Sequence, residues 1–462
     1  MRRWLAIALG VVALAIGAWL VARMLSRPPA AQNLTILFTG DVRGRLVPCG
    51  CFSGQLGGLT RIATMVGLGH QPGYLKVDVG DAIQGAADFE VMEYRSIQRA
   101  FGAMGYEALN LGHREAQLSA STLRELKKTS PVPMLSANLL DAATHAPIFD
   151  AWRIVHRGSW RIALIGVMDA RPAGEAPGEG LAIENVEVTL SRLLPVVKAK
   201  ADCIVLLAFA SDERIAELAR QFYELDIILG GDVKQPSQKL VRENRSMILA
   251  TTNQSRALGT LSISRSGASN VAPISGEILL VGESIPQNPV IAALAASYRE
   301  EVRQARLAID DPANLQRDMI PGVRAAAAYA GTESCTACHP GAAAKWRETG
   351  HARAWSTLVD AGADADPNCL SCHTVGFGVP GGYLRAFGGT KLVNVGCESC
   401  HGPGSQHVAQ RQAGGEVTTH LRPLGEGDCV KCHHGEFSRP FDYAQFWPLI
   451  DHGKESGTPA SR

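Results

Sequence analysis

The chain has 462 residues, a length that allows two or three domains and a sizeable buried core. Its 45 Lys and Arg residues balance 44 Asp and Glu residues, so the formal net charge of +1 excludes the strongly basic surface typical of nucleic-acid-binding proteins. Eight of the 11 cysteines lie in the last third of the chain, and the odd remainder of three argues against a simple disulfide framework.

The first predicted element is an apolar segment at residues 5–22, which comes directly after Arg2, Arg3 and Trp4. Two arginines before such a segment place the amino terminus in the cytoplasm and predict export of the rest of the chain. The segment has about the length that spans a bilayer, and no typical cleavage site comes directly after it. We therefore expect an uncleaved membrane anchor and tether over residues 1–32, with a cleaved signal peptide as the alternative.

Residues 33–286 alternate β-rich apolar runs with helical stretches, which predicts an α/β domain with a layered sheet. Several runs end in Gly-Asp or Gly-His, so polar side chains gather at the carboxyl edge of the sheet, where α/β proteins place their sites. An amphipathic helix and a linker are predicted over residues 287–329. The predicted strands lie at residues 34–41, 73–81, 108–113, 161–167, 202–210 and 226–232.

The last segment, residues 330–462, has few strand patterns and is predicted to be mainly helix and coil. It contains four copies of Cys-x-x-Cys-His, in which two thiols on one side of a helical turn can form thioethers to one haem while the adjacent His faces the iron. Zinc is the competing ion, but a His directly after each second Cys does not fit zinc-ribbon spacing. We therefore predict four covalently bound c-type haems, attached at Cys335, Cys338 and His339; Cys369, Cys372 and His373; Cys397, Cys400 and His401; and Cys429, Cys432 and His433.

Further histidines in this segment are candidates for the sixth iron ligand. His351 and His407 are the preferred candidates; His420 and His452 are weaker ones, and His434 is disfavoured because its neighbour His433 already belongs to a motif. A chain short of distal ligands would leave an open iron, where reduction chemistry could occur.

Residues 331–462 resemble the tetrahaem cytochromes c of the ammonia-oxidiser (c-554-like) type, and more broadly the multihaem enzymes that handle nitrite and hydroxylamine. The four motifs carry the resemblance together with the stretches GHARAW (350–355) and CESCHGPGSQH (397–407). It implies an electron carrier, with His351 and His407 as distal ligands and, in some members of the family, one five-coordinate haem.

Residues 33–285 resemble the periplasmic nucleotidases among the calcineurin-like metallophosphoesterases. LTILFTGDVRG (34–44), DVGD (78–81), LGHRE (111–115), LLAFA (206–210) and LGGDVKQ (229–235) stand where that family has its metal-binding motifs. Two divalent metals perform the chemistry of the family. Asp41 and Asp81 match family ligands, but other positions of the family's site carry different residues here: Arg43, His113, Arg114, Ala208, Phe209, Asp232 and Lys234.

These replacements predict that positive side chains stand where two dications would bind, so that the domain keeps the scaffold, has lost metal-dependent hydrolysis and holds no second metal. The same pocket could bind an anion. Cys49 and Cys51 follow the first motif on a Gly-rich loop, where a soft-metal or redox-active pair and two incidental thiols remain equal alternatives. Cys203 begins an apolar strand and is predicted to be a buried small residue.

The sequence favours an electron carrier on the periplasmic side of the bacterial inner membrane. Its expected partners are redox proteins or quinol-linked electron donors, with the membrane reached through the amino-terminal helix and no nucleic acid bound. The alternatives are a haem reductase with an open iron and a surviving phosphoesterase fused to a cytochrome.

Overall fold

The computed structural model describes residues 32–48, 55–171, 175–252, 254–266, 270–310, 328–385, 390–414, 418, 424–434 and 441–453. The predicted anchor at residues 5–22 lies outside these ranges, as do Cys49, Cys51 and His420. Within the described ranges, no helix combines the length and the apolar character needed to cross a bilayer.

Two six-stranded mixed sheets form the centre of the first half of the chain. In the first sheet the strand order is β14-β13-β1-β2-β3-β4, and in the second it is β11-β12-β10-β9-β7-β6. Strands β5 and β8 pair in a small separate sheet. The bounds are β1 Gln32–Thr39, β2 Tyr74–Asp78, β3 Ala108–Asn110, β4 Met134–Leu135, β5 Leu139–Asp141, β6 Trp152–Arg157, β7 Trp160–Met168, β8 Leu181–Ile183, β9 Cys203–Phe209, β10 Ile227–Gly231, β11 Val241–Glu243, β12 Ser246–Ala250, β13 Ala257–Ser266 and β14 Asn270–Leu280.

Helices cover the outer faces of both sheets. Helices α1 (Leu59–Val66), α2 (Asp88–Met104) and α3 (Ala120–Thr129) bury their apolar faces against the first sheet, and α4 (Val186–Lys198) and α5 (Asp212–Gln221) against the second. A third apolar cluster lies between the sheets and takes side chains from both. The order of layers is therefore helix, sheet, sheet, helix, and the prediction of a layered α/β domain is confirmed.

Strand direction places the polar residues of this domain. Strands β1, β2, β3 and β4 run parallel to one another, and so do β7, β9, β10 and β12. The carboxyl ends of parallel strands meet at one edge of a sheet, so the residues after β1, β2 and β3 come together. The end of β10, in the second sheet, joins them, since His113 after β3 lies beside Asp232 after β10.

The predicted amphipathic helix is α6 (Pro289–Gln304), followed by a 3₁₀ turn at Ala308–Asp310. Ile291 and Ala295 pack into the cluster of α1 and α2, and Tyr298 and Val302 pack with Phe89 of α2. The helix ends at Gln304, and the N–H of its C-cap residue Ala305 bonds the carbonyl oxygens of Glu301 and Val302.

Short helices joined by loops form the last part of the chain. They are α7 Thr332–Thr336, α8 Pro340–Arg347, α9 Ala354–Asp360, α10 Pro367–His373, α11 Cys397–His401, α12 Ser405–Gln412, α13 Glu426–Cys429 and α14 Tyr443–Phe446. One small apolar cluster contains Leu358, Ala363, Leu370 and Tyr383. The helical character predicted for this segment is therefore confirmed.

Candidate functional site

Three carboxylates stand just beyond strand ends at the carboxyl edge of the two large sheets. Asp41 follows β1, Asp81 follows β2, and Asp232 follows β10; their φ angles are 57°, 57° and 59°. Non-glycine residues rarely adopt this left-handed conformation, and where they do they often lie at functional sites. The backbone bends at all three strand ends in this way, which orients side chains toward a common region.

Asp41 is buried and has two side-chain partners. Its Oδ1 accepts a short hydrogen bond from Nε of Arg43, and its Oδ2 accepts one of 2.7 Å from the hydroxyl of Thr252. The guanidinium group of Arg43 therefore neutralises a carboxylate that is otherwise removed from water.

Asp81 lies beside Arg114. Its Oδ1 accepts the backbone N–H of Arg114 at 2.8 Å, and Nε of Arg114 lies 3.6 Å from Oδ2. Burial and the neighbouring Glu115 raise the pKa of Asp81 well above its usual value, although the backbone hydrogen bond and the charge of Arg114 lower it. Asp41 and Asp81 therefore each have an arginine beside them.

His113 and Asp232 form a looser pair beside these ion pairs. Nδ1 of His113 lies 3.8 Å from Oδ2 of Asp232, and its Nε2 hydrogen-bonds the carbonyl oxygen of Asp169 at 3.1 Å. The ring also meets Phe209 edge to face at 5.1 Å. Lys234 is exposed, and its backbone N–H bonds Asp212.

The donor set at this edge does not fit a two-metal centre. A pair of divalent ions needs several carboxylates and imidazoles with free lone pairs. Here Asp41 accepts a hydrogen bond from the guanidinium group of Arg43, and the guanidinium group of Arg114 brings positive charge to within 3.6 Å of Asp81. In the part of the chain that the structure describes, no three His, Cys, Asp or Glu side chains converge as a metal site. The exposed parts of Arg43 and Arg114 can instead attract an anion.

Each Cys-x-x-Cys-His motif forms a helical turn that brings its three side chains to one side. The backbone N–H of His339 bonds the carbonyl of Cys335 at 3.0 Å, and that of His433 bonds the carbonyl of Cys429 at 2.8 Å. The other two motifs lie within α10 and α11. The local geometry is the one that attachment of a haem through two thioethers requires.

Three of the four motif histidines face a second imidazole. The ring centres are separated by 6.4 Å between His339 and His407, by 5.9 Å between His433 and His351, and by 5.9 Å between His401 and His452. A metal–imidazole bond is about 2 Å long, so two imidazoles on opposite sides of one metal ion place their ring centres about 6 Å apart. The three pairs therefore fit axial ligation of three haem irons.

The fourth motif histidine, His373, differs from the others. Its Nδ1 hydrogen-bonds the carbonyl oxygen of Ala354 at 2.7 Å, which leaves Nε2 as the nitrogen that can bind a metal. Among the residues that the structure describes, no second imidazole ring pairs with that of His373. His420 lies outside those residues, and His434 follows His433 on the exposed surface.

Thiols from different motifs also touch. The side chain of Cys335 lies against that of Cys397. Cys372 and Cys432 form the corresponding contact. The first motif is therefore adjacent to the third, and the second to the fourth.

Sequence reasoning missed three residues that support these sites. Thr252 bonds Asp41 from a loop distant in sequence, and no local pattern indicates it. Glu115 and Glu398 are buried and accept backbone hydrogen bonds; both belong to the motif stretches LGHRE and CESCH, so their position directly beside recognised site residues was the available signal.

The first domain and the haem-motif segment are similar to different known proteins. A family model described as cytochrome c554 and c-prime matches residues 334–402. Cytochrome c-554 of Nitrosomonas europaea is 35% identical over 159 residues, which cover 27% of this chain and 68% of that protein. The chain belongs to the cytochrome c-554 family. The predicted resemblance of its last part is thereby confirmed.

The cytochrome c-554 match leaves the first domain uncovered, and that domain is similar to another group of proteins. The 5'-nucleotidase of Bos taurus is 27% identical over 310 residues, covering 59% of this chain and 54% of that protein, so the chain spans about half the length of this relative. The structure of a 5'-nucleotidase precursor from Thermus thermophilus matches with a TM-score of 0.51 and 20% identity, over 69% of this chain and 68% of that one. The domain therefore has the nucleotidase fold, as the sequence predicted.

Proposed function

We propose that the protein is a four-haem electron carrier on the periplasmic side of the inner membrane, with a phosphoesterase-like domain that does not hydrolyse phosphate esters. The observation that carries the proposal is the three imidazole pairs, His339 with His407, His433 with His351, and His401 with His452. Two strong-field ligands on one iron favour fast electron exchange and leave no position for substrate. The haems supply reversible one-electron reduction when bound.

The adjacency of motifs supports transfer among the haems. The attachment thiols of the first and third motifs touch, as do those of the second and fourth. Haems attached at these thiols are held close to one another by the protein, which is what an array that passes electrons requires.

The arginine pairs support the second part of the proposal. Arg43 bonds Asp41 and Arg114 lies 3.6 Å from Asp81, and these two aspartates match metal ligands of the nucleotidase family. A dication would have to displace both arginines and bind beside their charge.

A reductase is the second candidate function, and it is favoured by the single imidazole found at the His373 motif. An iron with one protein ligand can bind a small molecule, whereas an iron held by two histidines cannot. Binding of carbon monoxide to the reduced protein separates the two kinds of iron.

The test measures how many haems bind carbon monoxide in chains matured by a host that attaches c-type haem. Three of the four motif histidines have a partner ring, so we expect at most one such haem in the wild type. Each of His351→Ala, His407→Ala and His452→Ala should have one more than the wild type, because each variant removes one distal ligand. His434→Ala is the matched control and should keep the wild-type number.

The outcomes separate the parts of the proposal. A wild type that binds no carbon monoxide would exclude the reductase and leave the carrier. A His351→Ala variant that binds no more carbon monoxide than the wild type would refute the pairing with His433. Fewer than four haems per chain would refute the four-haem assignment itself.

A further inference from the structure

A buried pair of carboxyl groups lies where the nucleotidase-like domain meets the haem-binding segment. Glu93 of α2 is 7% exposed, and Asp366, at the amino terminus of α10, is 8% exposed. The two groups are electrostatic neighbours, and both face the guanidinium groups of Arg45 and Arg299. Two acids from different domains thus share one region removed from water.

The packing around Glu93 is close. The loop that carries Gly44 and Arg45 lies directly on this side chain, since a Cβ added at Gly44 would stand 2.5 Å from Oε2 of Glu93. The hydroxyl of Tyr298, on α6, is buried beside the pair and has no hydrogen-bond partner among the described residues. The two carboxyl groups therefore have the hydroxyl of Tyr298 as a polar neighbour that can donate a hydrogen bond.

The charged and titratable groups that face the pair come from every element packed against it. Glu90 of α2 adds negative charge, Arg45 and Arg299 add positive charge, and Arg385 faces Asp366. Burial is the largest influence on both acids and raises the pKa of Glu93 and of Asp366, while the arginines lower it. Ionisation of this pair is therefore sensitive to any further charge nearby.

The pair is coupled to one haem motif through α10. Asp366 accepts the backbone N–H of Asn368 at 3.0 Å and so caps the helix that carries Cys369, Cys372 and His373. A change of one unit charge at the haem attached there would act on Glu93 and Asp366 in a region of low dielectric constant.

We propose that Glu93 and Asp366 form a redox-linked proton site: the pair binds one proton from water when the haem at Cys369 and Cys372 accepts one electron, and releases it when that haem is oxidised. The electron comes from a one-electron donor, a redox protein in the cell or a mediator dye in the experiment. Reduction removes one positive charge at the iron, and the proton bound at the carboxylate restores the local charge. The inference rests on the proposed function, because it requires the haem.

The experiment is mediated redox potentiometry of the full haem-loaded chain between pH 5.5 and 8.5. We expect one haem whose midpoint potential falls as pH rises, by as much as about 59 mV per pH unit, the value for one proton per electron. Glu93→Gln keeps the shape of the protonated side chain but cannot titrate. It should lose at least half of that slope and have a more positive potential than the wild type at pH 8.

Glu300→Gln is the control, because Glu300 is an exposed acid on α6, next in sequence to Arg299. It should retain the wild-type slope. An unchanged slope in Glu93→Gln would overturn the inference. Infrared difference spectra of reduction provide a second measurement, since a protonated-carboxyl band should appear in the wild type and be lost or shifted in Glu93→Gln and Asp366→Asn.

Haem content and the reduced spectrum of each variant distinguish failure of the proton site from failure of the proposed function. Four haems with an unchanged slope refute only the proton site. Absence of haem at Cys369 and Cys372 refutes the proposed function on which it rests.

Discussion

Two buried glutamates hold the backbone beside the two kinds of site. Glu115 accepts the N–H groups of Asp81, Ala82, Ile83 and Gly112 at 2.8–3.0 Å. Glu398, inside the third haem motif, accepts those of Ala330, Gly331 and Gly404 at 2.7–2.8 Å. In each case one carboxylate satisfies several buried donors of a loop that forms no regular structure.

Replacement of Glu115 by alanine should therefore be strongly destabilising. Four buried backbone donors would lose their acceptor, at about 1 kcal/mol each or more, so we expect the free energy of unfolding to fall by about 4 kcal/mol. Urea unfolding followed by far-UV circular dichroism measures the change. Glu125→Ala, at an exposed position of α3, should change it by less than about 0.5 kcal/mol. Equal effects of the two variants would contradict the role assigned to Glu115.

At the scale of elements, three largely buried strands of the second sheet could be predicted closely. Strands β7, β9 and β10 are continuous apolar runs, and the observed bounds differ from the predicted ones by one residue at most. Strand β11, in contrast, is three residues long and mostly exposed, and no apolar pattern precedes it. Strand β11 forms by pairing with β12, and the local sequence pattern of β11 does not indicate that partner.

Some site residues could likewise be predicted from a local pattern, and others could not. The haem motifs are contiguous in sequence, so their attachment residues could be assigned directly. The distal histidines could be named as candidates, but the partner of each ring depends on how the short helices pack. Lys234 follows β10 as the motif order suggested. Its backbone N–H bonds Asp212, the first residue of α5.

Arg385 connects three elements at the boundary between the domains. Its guanidinium group pairs with Asp310 at 2.7 Å and donates to the carbonyl oxygens of Val302, Ala305 and Ala365. Its donors thus join the end of α6, the following 3₁₀ turn and the loop before α10. The side chain is buried, so these hydrogen bonds are little screened by solvent.

We expect Arg385→Lys to loosen this junction, because an ammonium group cannot reproduce the planar fork of donors. Loss of two such bonds should lower the free energy of unfolding by about 2 kcal/mol or more. Hydrogen exchange at the carboxyl end of α6 should accelerate at least tenfold. Arg306→Lys is the control at an exposed position nearby and should leave exchange unchanged. An Arg385→Lys protein with wild-type exchange would show that other contacts hold the junction.

At the scale of the whole molecule, the two halves of the chain give their potential metal ligands different partners. The last part of the chain pairs imidazoles at the spacing of iron ligands, whereas the first half pairs its aspartates with arginines. The domains are joined through Arg385, through the bidentate pair of Arg303 with Asp364, and through the buried acids Glu93 and Asp366.

Elemental analysis of the full-length chain tests this division. After incubation with excess manganese or zinc and removal of unbound metal, we expect four irons per chain and no second metal in stoichiometric amount, and no hydrolysis of p-nitrophenyl phosphate above background. The reason is electrostatic, since the positive charges of Arg43 and Arg114 already lie beside the carboxylates that a dication would need. The Arg43→His, Arg114→His double variant removes that charge and adds two imidazole ligands, so it should bind manganese or zinc more tightly than the wild type. One or two equivalents of manganese or zinc in the wild type, together with metal-dependent hydrolysis, would mean that the arginines move aside and that the first domain is an active phosphoesterase.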